Sequence, residues 1–234
     1  MSEDRSLLVS EYQWCLEEFA DVELQDARLN RRCGELAVQL AMQPSEPINH
    51  ACEDWADTKA AYRFFDNEKV TPEELLKPHQ QRTISRMAEH PVVLAVQDTS
   101  FLNFTHHPKT KGLGAIGNKT QKQQGFGMHS TLAVTPKGLP LGLLTQGFFH
   151  RDPDEPSHRP QDCRKLPIEE KESYRWLQAL EQTVMLAPSG VDVITVCDRE
   201  ADIYEMFVLA QQKDTGLVVR ASTDRALVDK DWNK

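Results

Sequence analysis

The sequence predicts an α/β chain of the α+β kind, in which a small helical domain leads into a mixed sheet flanked by helices. Three observations carry this. Apolar residues recur at helical spacing up to about residue 90, the pattern changes at Val92 to short and nearly continuous apolar runs, and turn residues punctuate those runs. The break at His90-Pro91 sets the expected boundary, with a helical domain over residues 1–90 and a sheet domain over 91–234.

Within the first part, Leu8, Tyr12, Cys15, Leu16 and Phe19 lie on one helical face. Leu29, Cys33, Leu36, Ala37 and Leu40 form the stripe of a second helix, with Asp26 as its cap. Trp55, Thr58, Tyr62 and Phe65 give the inward face of a third. Thr71-Pro72-Glu73-Glu74 opens a fourth with a capping box and a proline at its first position. The polar faces carry Arg28, Arg31 and Arg32 on the second helix, and Lys59 and Arg63 one turn apart on the third. They read either as a phosphate-contacting surface or as a solvated face whose arginines pair with Glu35 or Asp66.

In the second part, strands are expected at Val92–Gln97, Met128–Thr135, Leu139–Phe148, Val191–Cys197 and Leu217–Ala221, with helices near Ile168–Leu186 and Glu200–Gln211. Pro136-Lys137-Gly138 turns the middle pair into a hairpin. Three antiparallel neighbours followed by helical crossovers give the order of an RNase H-like core. Asp98 directly follows the first apolar run and Asp198 directly follows Val191–Cys197. Taken singly, each reads as a strand-end cap. As a pair on adjacent strands they read as oxygen ligands for Mg2+ or Mn2+, because hard divalent cations prefer carboxylates and two such ions promote phosphodiester cleavage.

The composition restricts the alternatives. A 39% hydrophobic content supports a proper core, the first ten residues are too polar for a signal peptide, and no apolar run reaches the ~20 residues of a membrane span, so a cytoplasmic location is expected. The five cysteines, Cys15, Cys33, Cys52, Cys163 and Cys197, are scattered and contain no Cys-x-x-Cys pair, so they read as small buried hydrophobes and not as a zinc site. A net charge of −9 means that any DNA contact must come from local patches. Gly112-Leu113-Gly114-Ala115-Ile116-Gly117 matches the dinucleotide pattern but lacks a preceding strand, and Asn118 spoils the neighbouring P-loop match. The stretch reads better as a basic loop in which Lys109, Lys111, Lys119 and Lys122 follow Asp98, where a DNA backbone would run. His106, His107, His129, His150 and His158 have no metal-ligand spacing, and no serine-hydrolase elbow is present.

Four motifs carry a family resemblance: Leu24-Gln25-Asp26-Ala27-Arg28-Leu29, Ala60-Ala61-Tyr62-Arg63-Phe64-Phe65-Asp66-Asn67, Ala95-Val96-Gln97-Asp98-Thr99-Ser100 and Val196-Cys197-Asp198-Arg199-Glu200-Ala201-Asp202-Ile203. Together they resemble the transposon-five-type transposases of the insertion-sequence-four family. The resemblance implies a helical domain that grips double-stranded DNA at transposon terminal repeats, followed by a Mg2+- or Mn2+-dependent RNase H-like domain for cut-and-paste transposition. It matches Asp98 and Asp198 to the first two acids of an Asp-Asp-Glu triad. It also puts Arg63 and the Arg28 to Arg32 cluster in the end-binding region and makes Arg220 a DNA-contacting arginine beside the active site. Family members work as homodimers.

The pattern is departed from in one respect: no glutamate follows Glu205, so the third acid has no match and the dimerising region lies beyond the resemblance. Glu200 and Glu205 both belong to the helix after Asp198 and read as first-turn charges. The expectation is therefore an N-terminal portion of a transposase, inactive alone. The alternatives are a non-catalytic protein that occupies transposon ends and represses transposition, and a magnesium nuclease of the same fold.

Overall fold

In a computed structural model, the structure describes residues 11–116, 123–151 and 166–224. It divides into two compact units, Met1–Arg82 and Thr83–Lys234.

The first unit is helical: α1 (Gln13–Glu18), α2 (Ala27–Met42), a single turn α3 (Ile48–Ala51), α4 (Trp55–Phe65) and the greater part of α5 (Pro72–Met87). Asp26 caps α2 by accepting from the Arg28 N–H at 2.8 Å, and Asp54 caps α4 by accepting from the Asp57 N–H at 2.8 Å. The Thr71 hydroxyl accepts from the Glu74 N–H at 3.3 Å, which is the expected box at the start of α5. Val22, Leu24, Cys33, Leu36, Cys52, Ala61 and Phe64 form the core of this unit. Of the four residues read as the apolar face of α4, only Thr58 is buried. Trp55, Tyr62 and Phe65 are 67%, 53% and 44% exposed, while Thr58, Ala61 and Phe64 point inward. Two overlapping apolar stripes occur in this helix. Core space admits the smaller set, Thr58 and Ala61 with Phe64, because α2 and α3 pack close against it.

The second unit is built on a six-stranded sheet: β1 (Val92–Asn103), β2 (Gly114–Ile116), β3 (Gln123–Val134), β4 (Pro140–Phe149), β5 (Asp192–Cys197) and β6 (Gly216–Val219). Its central order is β4-β3-β1-β5-β6, antiparallel as far as β1 and parallel from β1 onward, and β2 joins β3 beyond β4. This is the RNase H-like order read from the sequence. Gly138, at φ 87°, makes the β3–β4 turn, a conformation that glycine adopts without steric cost. Gly125 is required for a different reason: a Cβ there would overlap the Leu102 carbonyl oxygen, so only glycine lets β3 pack between β1 and β2.

Helices cover one face of the sheet. Met87, Val93, Ala95, Ala133, Leu141, Leu144 and Val193 form one cluster. Trp176, Leu177, Leu180, Cys197, Ala201, Met206 and Ala210 form the other, contributed largely by α6 (Tyr174–Leu186) and α7 (Tyr204–Gln212). Both of these helices are shorter than expected. Ile168–Glu170 is a separate 3-10 turn that ends in extended backbone at Lys171. Arg199–Ala201 is another, and Ile203 returns to extended backbone before α7 begins. The glycine-rich stretch expected as a loop contributes β2. Cys15, Cys33, Cys52 and Cys197 are buried free thiols, as read, while Cys163 and His158 lie outside the described residues. No helix of the described residues is long and apolar enough to cross a membrane.

Candidate metal and nucleic-acid site

β1 and β5 run parallel with a constant register from Val92↔Asp192 to Val96↔Val196. Continued two residues past its last pair, that register sets Asp98 opposite Asp198, which lies one residue beyond the end of β5. Alternation then fixes the face. Val93, Ala95 and Gln97 are buried on β1, and Val193, Thr195 and Cys197 on β5, so alternation puts Asp98 on the opposite face of β1; Asp198, just past the end of β5, is exposed as well. One sequence expectation needs correcting here: Asp98 does not end its strand. β1 continues to Asn103 because β3 keeps pairing with it, from Asp98↔Ser130 to Asn103↔Gly125. Asp198 does leave its strand. It caps the Arg199–Ala201 turn, its Oδ1 accepting from the Glu200 N–H at 2.8 Å.

Arg220 follows in the same register. β6 pairs with β5 through Cys197↔Val219, and the Arg220 N–H donates to the Cys197 carbonyl at 3.1 Å. Leu217 and Val219 pack toward the helices, and Arg220, just past the end of β6, is exposed. Asp202, 7% exposed, anchors the segment after β6 by accepting from the Ser222 N–H at 2.7 Å and the Ser222 hydroxyl at 2.9 Å. Asp98 on β1, Asp198 just past β5 and Arg220 just past β6 thus follow one another along the register of three neighbouring strands. Among the described residues, no group of three His, Cys, Asp or Glu side chains could hold a metal ion. The carboxylate pair itself suits Mg2+, which retains several waters and takes one or two protein carboxylates together with substrate phosphates.

On the helix side of the sheet lies a buried polar network that sequence reasoning missed. Gln97 is 2% exposed, and its amide lies across one turn of α6. With the amide oriented to satisfy its neighbours, the nitrogen donates to the Trp176 carbonyl at 3.3 Å and to His129 Nε2 at 3.2 Å, while the oxygen accepts from the Leu180 N–H at 3.3 Å. His129, within the strand expected at Met128–Thr135, is 4% exposed. In this orientation its Nδ1–H donates to the Thr99 hydroxyl at 2.8 Å. Burial, aided by the Arg175 charge, pushes its pKa down to about 4, so the ring is neutral at pH 7. Arg175 donates from Nε to the Thr99 hydroxyl at 3.1 Å and from Nη2 to Glu200 Oε2 at 2.7 Å. Glu172 pairs with Arg151, and this hydrogen bond holds its carboxyl below the usual range. The signal for Gln97 was present in the sequence: it takes the third inward position after Val93 and Ala95. Arg175, within Tyr174-Arg175-Trp176, offered none.

The helical unit holds the other expected contacts. Arg28 pairs with its own cap Asp26 at 3.3 Å, and Arg31 with Glu35 at 3.6 Å. Arg32 is drawn between Asp57 at 3.1 Å and Glu35 at 3.4 Å, with only 26% of its side chain exposed. Lys59 stands over the Trp55 ring, 5.2 Å from its centroid, and Arg63 is exposed on the same helix. Lys109 and Lys111 are exposed in the loop that precedes β2, whereas Lys119 and Lys122 lie outside the described residues.

Residues 11–70 match the transposase DNA-binding family, which supports a DNA-binding role of the transposase kind for this segment. Among solved structures, the chain is similar to the Mos1 transposase paired-end complex with left transposon end, at 12% identity and a TM-score of 0.29, over 80% of this chain and 58% of that one. It is also similar to a pre-cleavage Mos1 transpososome, at 9% identity and a TM-score of 0.27 with the same coverage. The chain therefore spans less than two thirds of the length of these solved chains.

Proposed function

We propose that the chain acts in cut-and-paste DNA transposition, as the end-binding and metal-binding portion of a transposon-five-type transposase. The observation that carries this reading is the parallel register of β1 and β5, which, continued by two residues, sets Asp98 opposite Asp198, with Arg220 following β6 alongside. The match of residues 11–70 supports the DNA-binding half.

In this reading, exposed Lys59 and Arg63 on α4 meet the phosphates of a transposon end, with Lys109 and Lys111 along the DNA backbone. The carboxylates of Asp98 and Asp198 hold Mg2+ or Mn2+ by oxygen ligands. Such ions, when bound, activate the attacking oxygen and stabilise the leaving oxygen of a phosphodiester. Arg220 offers its guanidinium to a phosphate on the open side of Asp198. Asp98 sits in mid-strand, and Asp198 accepts from the Glu200 N–H.

The test separates charge from structure at Asp198, because asparagine keeps a cap that alanine removes. Asp198→Asn is expected to fold as the wild type does in EDTA, to lose Mg2+-induced stabilisation, and to abolish any metal-dependent nicking of terminal-repeat DNA. Asp198→Ala should in addition cost about 1 kcal/mol with or without metal. Mg2+-induced melting shifts that persist in Asp98→Ala and Asp198→Asn would sink the metal site. Salt-sensitive end binding by the wild type without nicking would instead favour a protein that occupies ends and represses transposition.

A further inference from the structure

The geometry points to Arg175 as a positioning residue that holds Asp98 and Asp198 in a common register from the opposite side of the sheet. The inference rests on the carboxylate-pair reading above and names a residue which that reading does not use.

Arg175 lies in the first turn of α6, where a cation opposes the helix dipole, so helix stability does not account for it. Its side chain is only 15% exposed, and all three guanidinium nitrogens are engaged. Nη1 donates to the Glu172 carbonyl at 2.7 Å and ties the fork to its own helix start. Nε reaches the hydroxyl of Thr99, the residue after Asp98 on β1. Nη2 reaches Glu200, whose backbone N–H in turn holds the Asp198 carboxylate. The guanidinium is also sandwiched near two aromatic rings, 4.9 Å from the centroid of Phe149 and 5.9 Å from that of Trp176. One planar group therefore links the side chain of Thr99, next to one aspartate on β1, to the side chain of Glu200 in the turn that carries the other. Thr99 and Glu200 share no other cross-link among the interactions described above. A lysine keeps the charge but cannot supply a rigid fork to three acceptors.

The test is Mn2+ titration of the full chain, read by the electron paramagnetic resonance of bound Mn2+, which reports both affinity and the uniformity of ligand geometry. Asp98→Ala should abolish specific binding. R175Q should weaken Mn2+ binding about tenfold and broaden the bound-ion signal, and R175K should fall between R175Q and the wild type. T99V, which is isosteric and changes no charge, should weaken binding about threefold. Loss of binding in Asp98→Ala with wild-type or tighter binding in R175Q and T99V would overturn the brace while leaving the carboxylate pair intact. Unchanged binding in Asp98→Ala would overturn the pair itself and the brace with it. Should R175Q fail to fold, T99V decides by the same criteria, with His129→Gln, which leaves the Arg175–Thr99 bond in place, as the control for the His129–Thr99 bond that T99V also removes.

Discussion

His129 illustrates how a single side chain links stability to pH. Its neutral ring accepts from Gln97 and donates to Thr99, and its pKa is held near 4 against about 6.5 in an unfolded chain. Between those values the unfolded state binds the extra proton, so stability is complete above pH 6.5 and falls as the pH drops toward 4. The expected loss is up to about 3 kcal/mol. Thermal melts of the wild type and of His129→Gln from pH 7.5 to 4.5 check it: the wild-type curve should fall more steeply below pH 6.5. Parallel curves would mean that the ring gains its proton without cost.

Among the elements, α4 is the most instructive. Phe64 and Phe65 are neighbours in sequence and touch edge to face, 5.3 Å between centroids, yet Phe64 is 3% exposed and Phe65 44%. Phe64→Ala should therefore cost about 3–5 kcal/mol, and Phe65→Ala less than about 1 kcal/mol, by urea unfolding. The reverse ranking would restore the helix face read from the sequence. That reading held for Thr58 alone because α4 carries apolar residues nearly all round, and periodicity alone does not choose between two overlapping stripes. It succeeded for α2, where Leu29, Cys33 and Leu36 are the only strong stripe and Asp26 marks the start. The strands were legible because alternation and turn residues agree, and β1 was read too short because its outer half is polar, Asp98-Thr99-Ser100, and is held by pairing with β3. Asp98 and Asp198 were legible because each follows an apolar run. Their placement opposite each other was not, since it depends on the parallel register of strands about a hundred residues apart in the chain. The network of Gln97, His129 and Arg175 was illegible for the same reason: its members come from β1, β3 and α6.

For the whole molecule, a net charge of −9 must coexist with a DNA-binding segment. The structure limits which cations are free to serve. Arg28, Arg31 and Arg32 are each matched to a carboxylate, while Lys59 and Arg63 are exposed on the helix that also exposes Trp55 and Tyr62. End-DNA binding should accordingly weaken with salt, and Lys59→Ala and Arg63→Ala should each lower the slope of log K against log salt by about 1. Arg32→Ala should act mainly on folding, because it takes from half-buried Asp57 its cationic partner and leaves only the Gln39 amide at 3.3 Å. Slopes unchanged in Lys59→Ala and Arg63→Ala would move the interface off α4.

The Gln97 amide, laid across the turn from Trp176 to Leu180, has a consequence for motion. A side chain that occupies both a carbonyl and an N–H of one helical turn splices that turn to the strand carrying Asp98. Opening the turn then requires β1 to move as well, so the Leu180 amide should exchange with solvent deuterium more slowly than the amides toward the end of α6. Gln97→Leu should release it. An ion arriving at Asp98 on the far side of the sheet should slow it further, so that one backbone proton reports from within the protein on an event at its surface.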